Sequence, residues 1–201
     1  SANTAVGGDR NVHYRHEGET IHRSSHAQIA DAGDIGDEPS DAHTAHALFE
    51  KLQGKDCVVM AHVGGRYADI KFAHDPMETA VEVHSAWGTF EWIVRDAFEA
   101  GYRVGIVANS DGHKGRPGAC YPGASFFGSY GGLTCFLAER LDRDAIFTSM
   151  RRRRHYATTG NRALLDVGMT LASDAEVFER DPAIGGSAPS KPGRRLLMGD
   201  I

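Results

Sequence analysis

Three short apolar segments of the chain each end in side chains that bind divalent metals. The segments cover residues 57–61, 79–81 and 104–108, and the side chains that follow them are His62, Glu82, Asp111 and His113. Continuous apolar runs of this length are typical of buried parallel strands. The carboxyl ends of such strands form the active-site edge of barrels and open α/β sheets. Imidazoles and carboxylates gathered at that edge predict a bound divalent metal.

The segment Asp111-Gly112-His113 is the most specific of these features. One residue separates a carboxylate from an imidazole on a turn that leaves a strand, so both side chains can reach one site, and the glycine lets the backbone approach a ligand closely. The alternative is a turn aspartate beside a surface histidine. Arg116 follows directly and is placed to bind an anionic substrate group, with Lys114 as a weaker candidate.

The other candidates allow structural interpretations beside the functional ones. His62 also fits a core histidine whose hydrogen bonds are satisfied. Glu82 lies between two valines, so its carboxylate is expected to point into a cleft or barrel, where it needs a metal, an arginine or hydrogen-bond donors. A structural salt bridge is the alternative for Glu82. His84 has the same strand parity and can line the same face, and Asp9 is either a turn residue or a further ligand.

The elements that must position these residues alternate between strand and helix. Strands are predicted at 11–16, 57–61, 80–84, 104–108, 133–137 and 156–159, and helices over 42–52, 87–98 and 143–152. This alternation predicts a parallel α/β sheet or a barrel. The pattern weakens after Arg162, and the Gly/Pro/Ser-rich stretch 182–193 predicts irregular structure.

Composition restricts the function classes further. The chain has 201 residues and a formal net charge of −5, which argues against a nucleic-acid-binding surface. No apolar run approaches the roughly 18 residues of a membrane span. The three cysteines lack metal-site spacing and are expected to be reduced, which favours a cytoplasmic protein. An N-terminal signal on missing sequence would alter that expectation.

The segment 110–118 (SDGHKGRPG) resembles the PHP family, the metal-dependent phosphoesterases of polymerase-and-histidinol-phosphatase type, and in particular a bacterial branch of it. Shorter matches are 61–65 (AHVGG), 131–134 (GGLT), 156–160 (YATTG) and 8–12 (GDRNV). The resemblance covers roughly residues 8 to 165. It implies a distorted (β/α)₇ barrel that binds up to three divalent metals, typically zinc, manganese or iron.

Carried over residue by residue, the resemblance implies that His62 is a metal ligand at a middle strand end. Asp111 and His113 match the final Asp-x-His ligand pair. Asp9 stands where relatives often place another ligand, although aspartate in place of histidine is a departure. Glu82 matches a strand-end glutamate. Asp111, His113 and Arg116 are the catalytic candidates, and the substrate is expected to be a small phosphorylated anion.

The family opens with an H-x-H motif, and this motif does not occur in the 201 residues. We therefore expect residues 1–165 to be the second half of the barrel and 166–201 to be an irregular tail leading into a truncated segment. An incomplete barrel predicts exposed strand edges and a tendency to form homo-oligomers. The function expected of the intact protein is hydrolysis of phosphoesters by metal-activated water. The alternatives are amidohydrolase-type hydrolysis and a non-catalytic scaffold or binding remnant.

Overall fold

A computed structural model of the chain describes residues 2–4, 6–23, 38–63, 68–73, 76–115, 130–185 and 188–201. The strands are β1 (Ala2–Thr4), β2 (Gly8–Tyr14), β3 (Cys57–Ala61), β4 (Glu78–Ser85), β5 (Gly88–Thr89), β6 (Gly105–Ala108), β7 (Leu133–Phe136), β8 (His155–Thr158), β9 (Gly168–Phe178) and β10 (Ser190–Leu197). The helices are α1 (Ala45–Leu52), α2 (Glu91–Glu99), α3 (Arg143–Arg151) and α4 (Pro182–Gly185), and Ile70–Phe72 forms a 3₁₀ turn. Within this part of the chain, no helix is both long enough and apolar enough to cross a bilayer.

The central element is a mixed sheet of six strands. Its middle strands β3, β4 and β6 are parallel, whereas β2 runs antiparallel to β3, β1 runs antiparallel to β2, and β5 folds back on the end of β4. Because β2 is antiparallel, its beginning lies beside the end of β3, with Arg10 opposite Ala61. The ends of the three parallel strands and the start of β2 therefore meet at one edge.

The two faces of this sheet are covered by different helices. Cys57 and Val59 of β3 pack against α1, and Val81 of β4 packs against the α2 residues Ile93 and Ala97. Successive side chains of a strand point to opposite faces. The intervening residues, such as Val58, Met60, Ala80 and Val107, accordingly pack on the other face against Phe147 and Met150 of α3. This second face is the one that carries the metal-ligand candidates at its carboxyl edge.

The start of α1 depends on a side-chain cap. Thr44 has an extended backbone, and its hydroxyl oxygen accepts a hydrogen bond from the amide of Ala47 at 3.0 Å. We expect Thr44→Ala to lower the free energy of unfolding by about 1 kcal/mol, because one amide of the first turn loses its partner. Urea denaturation measures this loss. Thr44→Ser keeps the hydroxyl and should retain most of the stability, and equal losses in the two variants would contradict a capping role.

The predicted (β/α)₇ barrel is wrong. The described strands form one open six-stranded sheet and two separate two-stranded sheets, β7–β8 and β9–β10. Barrel closure requires a further parallel strand on the edge of β6 that does not pair with β4, but side chains occupy that edge. Thr134 Oγ1 accepts from the amide of Ala108 at 3.1 Å, and His155 Nδ1 lies 3.1 Å from the carbonyl of Ile106.

The irregular tail predicted over 166–201 is wrong for most of its length. Strands β9 and β10 pair antiparallel in a ribbon, with a register shift between Gly193 and Arg195. The side chain of Arg194 turns back at this shift and donates to the carbonyls of Leu171 and Ala172. The signal of a strand is weak here because most of β9 is exposed and carries no apolar alternation. The division of the chain at residue 165 stays a prediction.

Candidate metal centre

The carboxyl edge of the central sheet brings four of the predicted residues close together. His62 follows β3, Glu82 lies in β4, and Asp111 and His113 lie on the turn after β6. The register places Ala61 opposite Val81, and Glu82 opposite Val107, so that the three strand ends are level. Asp9 in β2 completes the edge, since its carbonyl accepts the amide of His62 at 3.1 Å. His62, Glu82, Asp111 and His113, which the sequence places after or at the strand ends, therefore lie close together in this sheet.

The four side chains form a row in which carboxylates and imidazoles alternate. Glu82 Oε2 lies 2.8 Å from His62 Nδ1, and Asp111 Oδ2 lies 3.6 Å from His62 Nε2. On the far side, Asp111 Oδ1 lies 3.8 Å from His113 Nδ1. We call Glu82, His62, Asp111 and His113 the carboxylate–imidazole row. Its inner end is fully buried at Glu82, and its outer end opens to solvent at His113, whose side chain is 50% exposed.

Glu82 is held in an unusual environment for a carboxylate. Its side chain has no solvent exposure, and Oε2 accepts hydrogen bonds from the amides of Asn11 and Asn109, each at 3.3 Å, besides facing His62. The other oxygen, Oε1, is buried without a hydrogen-bond partner in the part of the chain that the structure describes. A buried carboxylate oxygen left without a donor is costly, and a bound cation would remove that cost.

The electrostatics around His62 favour positive charge. Burial by itself lowers the pKa of His62, but the hydrogen bond with Glu82 and the charges of Glu82, Asp111 and Asp9 outweigh burial and place its pKa above the ordinary value. The imidazole therefore lies in a field created by three carboxylates. A divalent cation bound at the same place would experience the same attraction.

The turn that carries Asp111 is tied to the end of β4. Asn109 donates its amide to the carbonyl of His84 at 3.0 Å, and the carbonyl of Ser110 accepts the amide of Ala86 at 3.1 Å. Asp111 itself has a φ of 48°, in the left-handed region that aspartate tolerates better than most residues. This backbone turns its side chain back toward His62. Nδ1 of His113 lies 2.8 Å from the carbonyl oxygen of Asp111, so the same turn also fixes the outer imidazole.

Two further candidates are not part of the row. His84 is buried on the same strand as Glu82, but its ring nitrogens contact Thr89 Oγ1 at 2.7 Å and the carbonyl of Tyr130 at 2.9 Å. Those contacts give His84 a structural role, connecting β4 to β5 and to the segment before β7. Arg116 lies outside the described residues, and its predicted role as a substrate clamp stays a prediction.

Within the described ranges, no three His, Cys, Asp or Glu side chains surround one point as in a completed metal site. The reason is the order of groups in the row, since the ring of His62 stands between the carboxylates of Glu82 and Asp111. Glu82 faces Nδ1 of His62 and leaves Nε2 directed toward Asp111. This is the relation in which a carboxylate orients a metal-binding histidine from behind.

Sequence reasoning missed the two asparagines that bind Glu82. Asn11 shares strand parity with Asp9, and Asn109 directly follows β6 as His62 follows β3. The sequence signal that could have identified them is a polar residue at a buried strand or strand end, because a buried polar side chain needs a polar partner. Their side-chain amides bind Oε2 of Glu82 and do not bind Oε1.

The comparisons with known proteins do not add to these observations. No family model, no curated protein and no solved structure matches this chain.

Proposed function

We propose that the carboxylate–imidazole row binds a divalent metal, zinc, manganese or iron, and that the protein is a metal-dependent hydrolase of the PHP type acting on phosphoesters. The observation that carries the proposal is the His62 imidazole, which contacts fully buried Glu82 at Nδ1 and is directed toward the Asp111 carboxylate at Nε2. Nitrogen and carboxylate oxygen donors together suit these metals. The residues present therefore fit a metal of this type.

Each residue has a distinct task in this proposal. His62 and Asp111 would hold the metal, with Asp9 and His113 as the flanking donors, whereas Glu82, on the other side of the His62 ring, would orient that ring. Asn11 and Asn109 fix the Glu82 carboxylate through their amides, and Glu82 in turn fixes the His62 ring through Nδ1. When bound, such a metal lowers the pKa of a water molecule and neutralises charge on a phosphoryl oxygen.

The outer end of the row supports an anionic substrate. His113 is half exposed and Asp111 is partly exposed, so an anion can reach them from solvent, whereas Glu82 is shielded by the sheet. Lys114 and Arg116 follow in sequence and would supply positive charge to a phosphate group. A metal at this edge needs only the ends of three adjacent parallel strands, which an open sheet supplies as well as a barrel does.

Removal of the central carboxylate tests metal binding directly. We expect the chelator-treated full chain to bind Zn²⁺ or Mn²⁺ in calorimetric titration, and Asp111→Asn to weaken that binding by about 100-fold. The loss of a ligand should cost at least as much affinity as the loss of a residue that only orients a ligand. Asp144→Asn is the matched control, because Asp144 is exposed on α3 and pairs with Arg15. Its metal affinity should equal that of the unaltered chain.

A hydrolysis assay on the same proteins tests the reaction class. The metal-loaded chain should release p-nitrophenol from p-nitrophenyl phosphate, Asp111→Asn should lose that rate, and p-nitroanilides and lactones should react slowly. Faster hydrolysis of the amide or lactone would favour amidohydrolase-type chemistry instead. Metal binding without hydrolysis of any of the three would indicate a non-catalytic binding protein. Metal affinity that is unchanged in Asp111→Asn would disprove the site.

A further inference from the structure

A cavity of about 1000 Å³ lies on the face of the sheet opposite to the carboxylate–imidazole row. Val83 of β4 lines this cavity, whereas its neighbour Glu82 points to the other face. The walls come from α2, β6, β8 and residues 198–201. Its volume lies at the upper end of the range of small-molecule sites, and its walls are mainly apolar, as in such sites.

Helix α2 also presents two large apolar side chains to the cavity. Its buried residues are Ile93 and Ala97, which pack on the sheet. Trp92 and Phe98 lie on a different side, line the cavity, and remain 36% and 53% exposed. Two large aromatic side chains facing one cavity from a single helix are costly to leave in water, and they favour a ligand with an apolar body.

The lining of the cavity includes a buried cation. Arg153 is 6% exposed, and its guanidinium donates to the carbonyls of Glu179 and Gly199 at 3.0 and 3.1 Å. It forms no ion pair with a carboxylate of the described residues, and Asp181 and Asp200 act on it only from longer range. Burial lowers the pKa of Arg153 to about 10, so the group remains charged at neutral pH. A buried charge without a counter-ion favours an anionic ligand.

The backbone of Arg153 supports the same conclusion. The residue follows the C-terminal cap of α3 with a φ of 55°, a position where glycine is the usual residue. An arginine there has a conformational cost of about 1 kcal/mol or more. Its side chain compensates by anchoring residues 179 and 199 and by placing positive charge at the cavity wall.

The other charged side chains of the cavity lining balance one another. Asp200 is already paired with Arg154 at 3.0 Å, and Arg95 with Asp96 at 3.6 Å. Glu91 is the remaining side-chain carboxylate of the lining, and the lining also contains exposed Arg103. The charge of Arg153 is therefore not cancelled within the lining.

We propose that this cavity binds a small organic anion with a flat aromatic or aliphatic body, its carboxylate at Arg153 and its body between Trp92 and Phe98. The site is separate from the metal centre, and a ligand here does not contact the carboxylate–imidazole row. Its recognition needs one charge and one apolar surface, which are the two features that the cavity supplies.

A matched pair of probes tests this site in the metal-free full chain. Calorimetry with 2-naphthoate and with neutral 2-naphthylmethanol should show saturable binding, with the carboxylate bound about tenfold more tightly, the scale of a hydrogen bond to a charged group. Arg153→Gly suits the backbone φ and removes the charge, so the two probes should bind equally. Arg153→Lys should keep the preference, and Phe98→Ala should weaken both probes.

Two control variants distinguish binding in the cavity from binding elsewhere on the protein. Leu141→Ala removes an apolar side chain that is 95% exposed and lies outside the cavity, and it should leave both affinities unchanged. Asp111→Asn should also leave them unchanged, because the row lies on the other face. Equal affinity of the two probes for the unaltered chain, absence of saturable binding, or a carboxylate preference that survives Arg153→Gly would overturn the assignment. Circular dichroism verifies that Arg153→Gly folds, and Phe98→Ala tests the apolar wall independently.

Discussion

Glu82→Gln is expected to lower the affinity of the chain for Zn²⁺ or Mn²⁺ by about 10- to 100-fold, the loss typical of removing a carboxylate that orients a metal-binding histidine. The glutamine oxygen can still accept from His62, Asn11 and Asn109, which all converge on Oε2 in the native chain. The substitution therefore preserves the local hydrogen bonds and removes the negative charge and the free oxygen Oε1. Calorimetric titration of the metal at constant pH measures the change.

Glu78→Gln is the matched control for this prediction. Glu78 is also buried, but it lies at the start of the same strand, away from the row, and its carboxylate faces Arg10 at 3.5 Å. We expect Glu78→Gln to keep the metal affinity within about twofold, since sites without shared partners behave independently. Equal loss of affinity in the two variants would indicate that any change in β4 impairs metal binding, and Glu82 would then have no specific role in the metal centre.

Arg10→Ala is expected to lower the free energy of unfolding by about 3–5 kcal/mol, the range for breaking a buried ion pair from one side. The Arg10 side chain has no solvent exposure, and besides its ion pair with Glu78 it donates hydrogen bonds to the carbonyls of Gly7 and Asp69. Its loss leaves a buried carboxylate without its guanidinium and two carbonyls without these donors. Urea denaturation followed by circular dichroism measures the effect.

A double variant tests whether the pair itself is responsible. Arg10→Met combined with Glu78→Leu replaces both charges by apolar groups of similar size, and it should lose less stability than Arg10→Met alone. Additive losses would show that Arg10 acts only through the backbone carbonyls. A loss below about 1 kcal/mol in Arg10→Ala would show that the pair does not anchor β2 to β4.

Local structure was predictable wherever a short-range pattern specifies it. The apolar run 57–61 is strand β3 with all five residues buried. Ile93 and Ala97 of the helix predicted over 87–98 lie on the inner side of α2, although residues 88–89 form β5 and the helix begins at Glu91. Asp142 begins α3 as its cap, accepting from the amide of Ala145 at 2.8 Å. These features depend on neighbours within a few residues, so their signals are contained in the sequence itself.

Sheet closure was not predictable in the same way. Strand alternation is shared by barrels and by open sheets, and the difference depends on what covers the outer edge of β6. The side chains of Thr134 and His155 occupy that edge, and both come from a hairpin more than 25 residues further along the chain. Contacts of such sequence separation leave no periodic trace, so the resemblance to a barrel family led to the wrong architecture.

The sequence by itself determined which side chains of metal-ligand type are available and that three of them, His62, Glu82 and Asp111, stand at or just after the ends of buried strands. Only the tertiary structure decided their order in space, with His62 between the two carboxylates and with Asn11 and Asn109 behind Glu82. The physical reason is that strand order and register, set by packing across the whole sheet, fix which side chains become neighbours. Residue type determines which chemical groups are available, and packing determines which of those groups lie close enough together to act at one site.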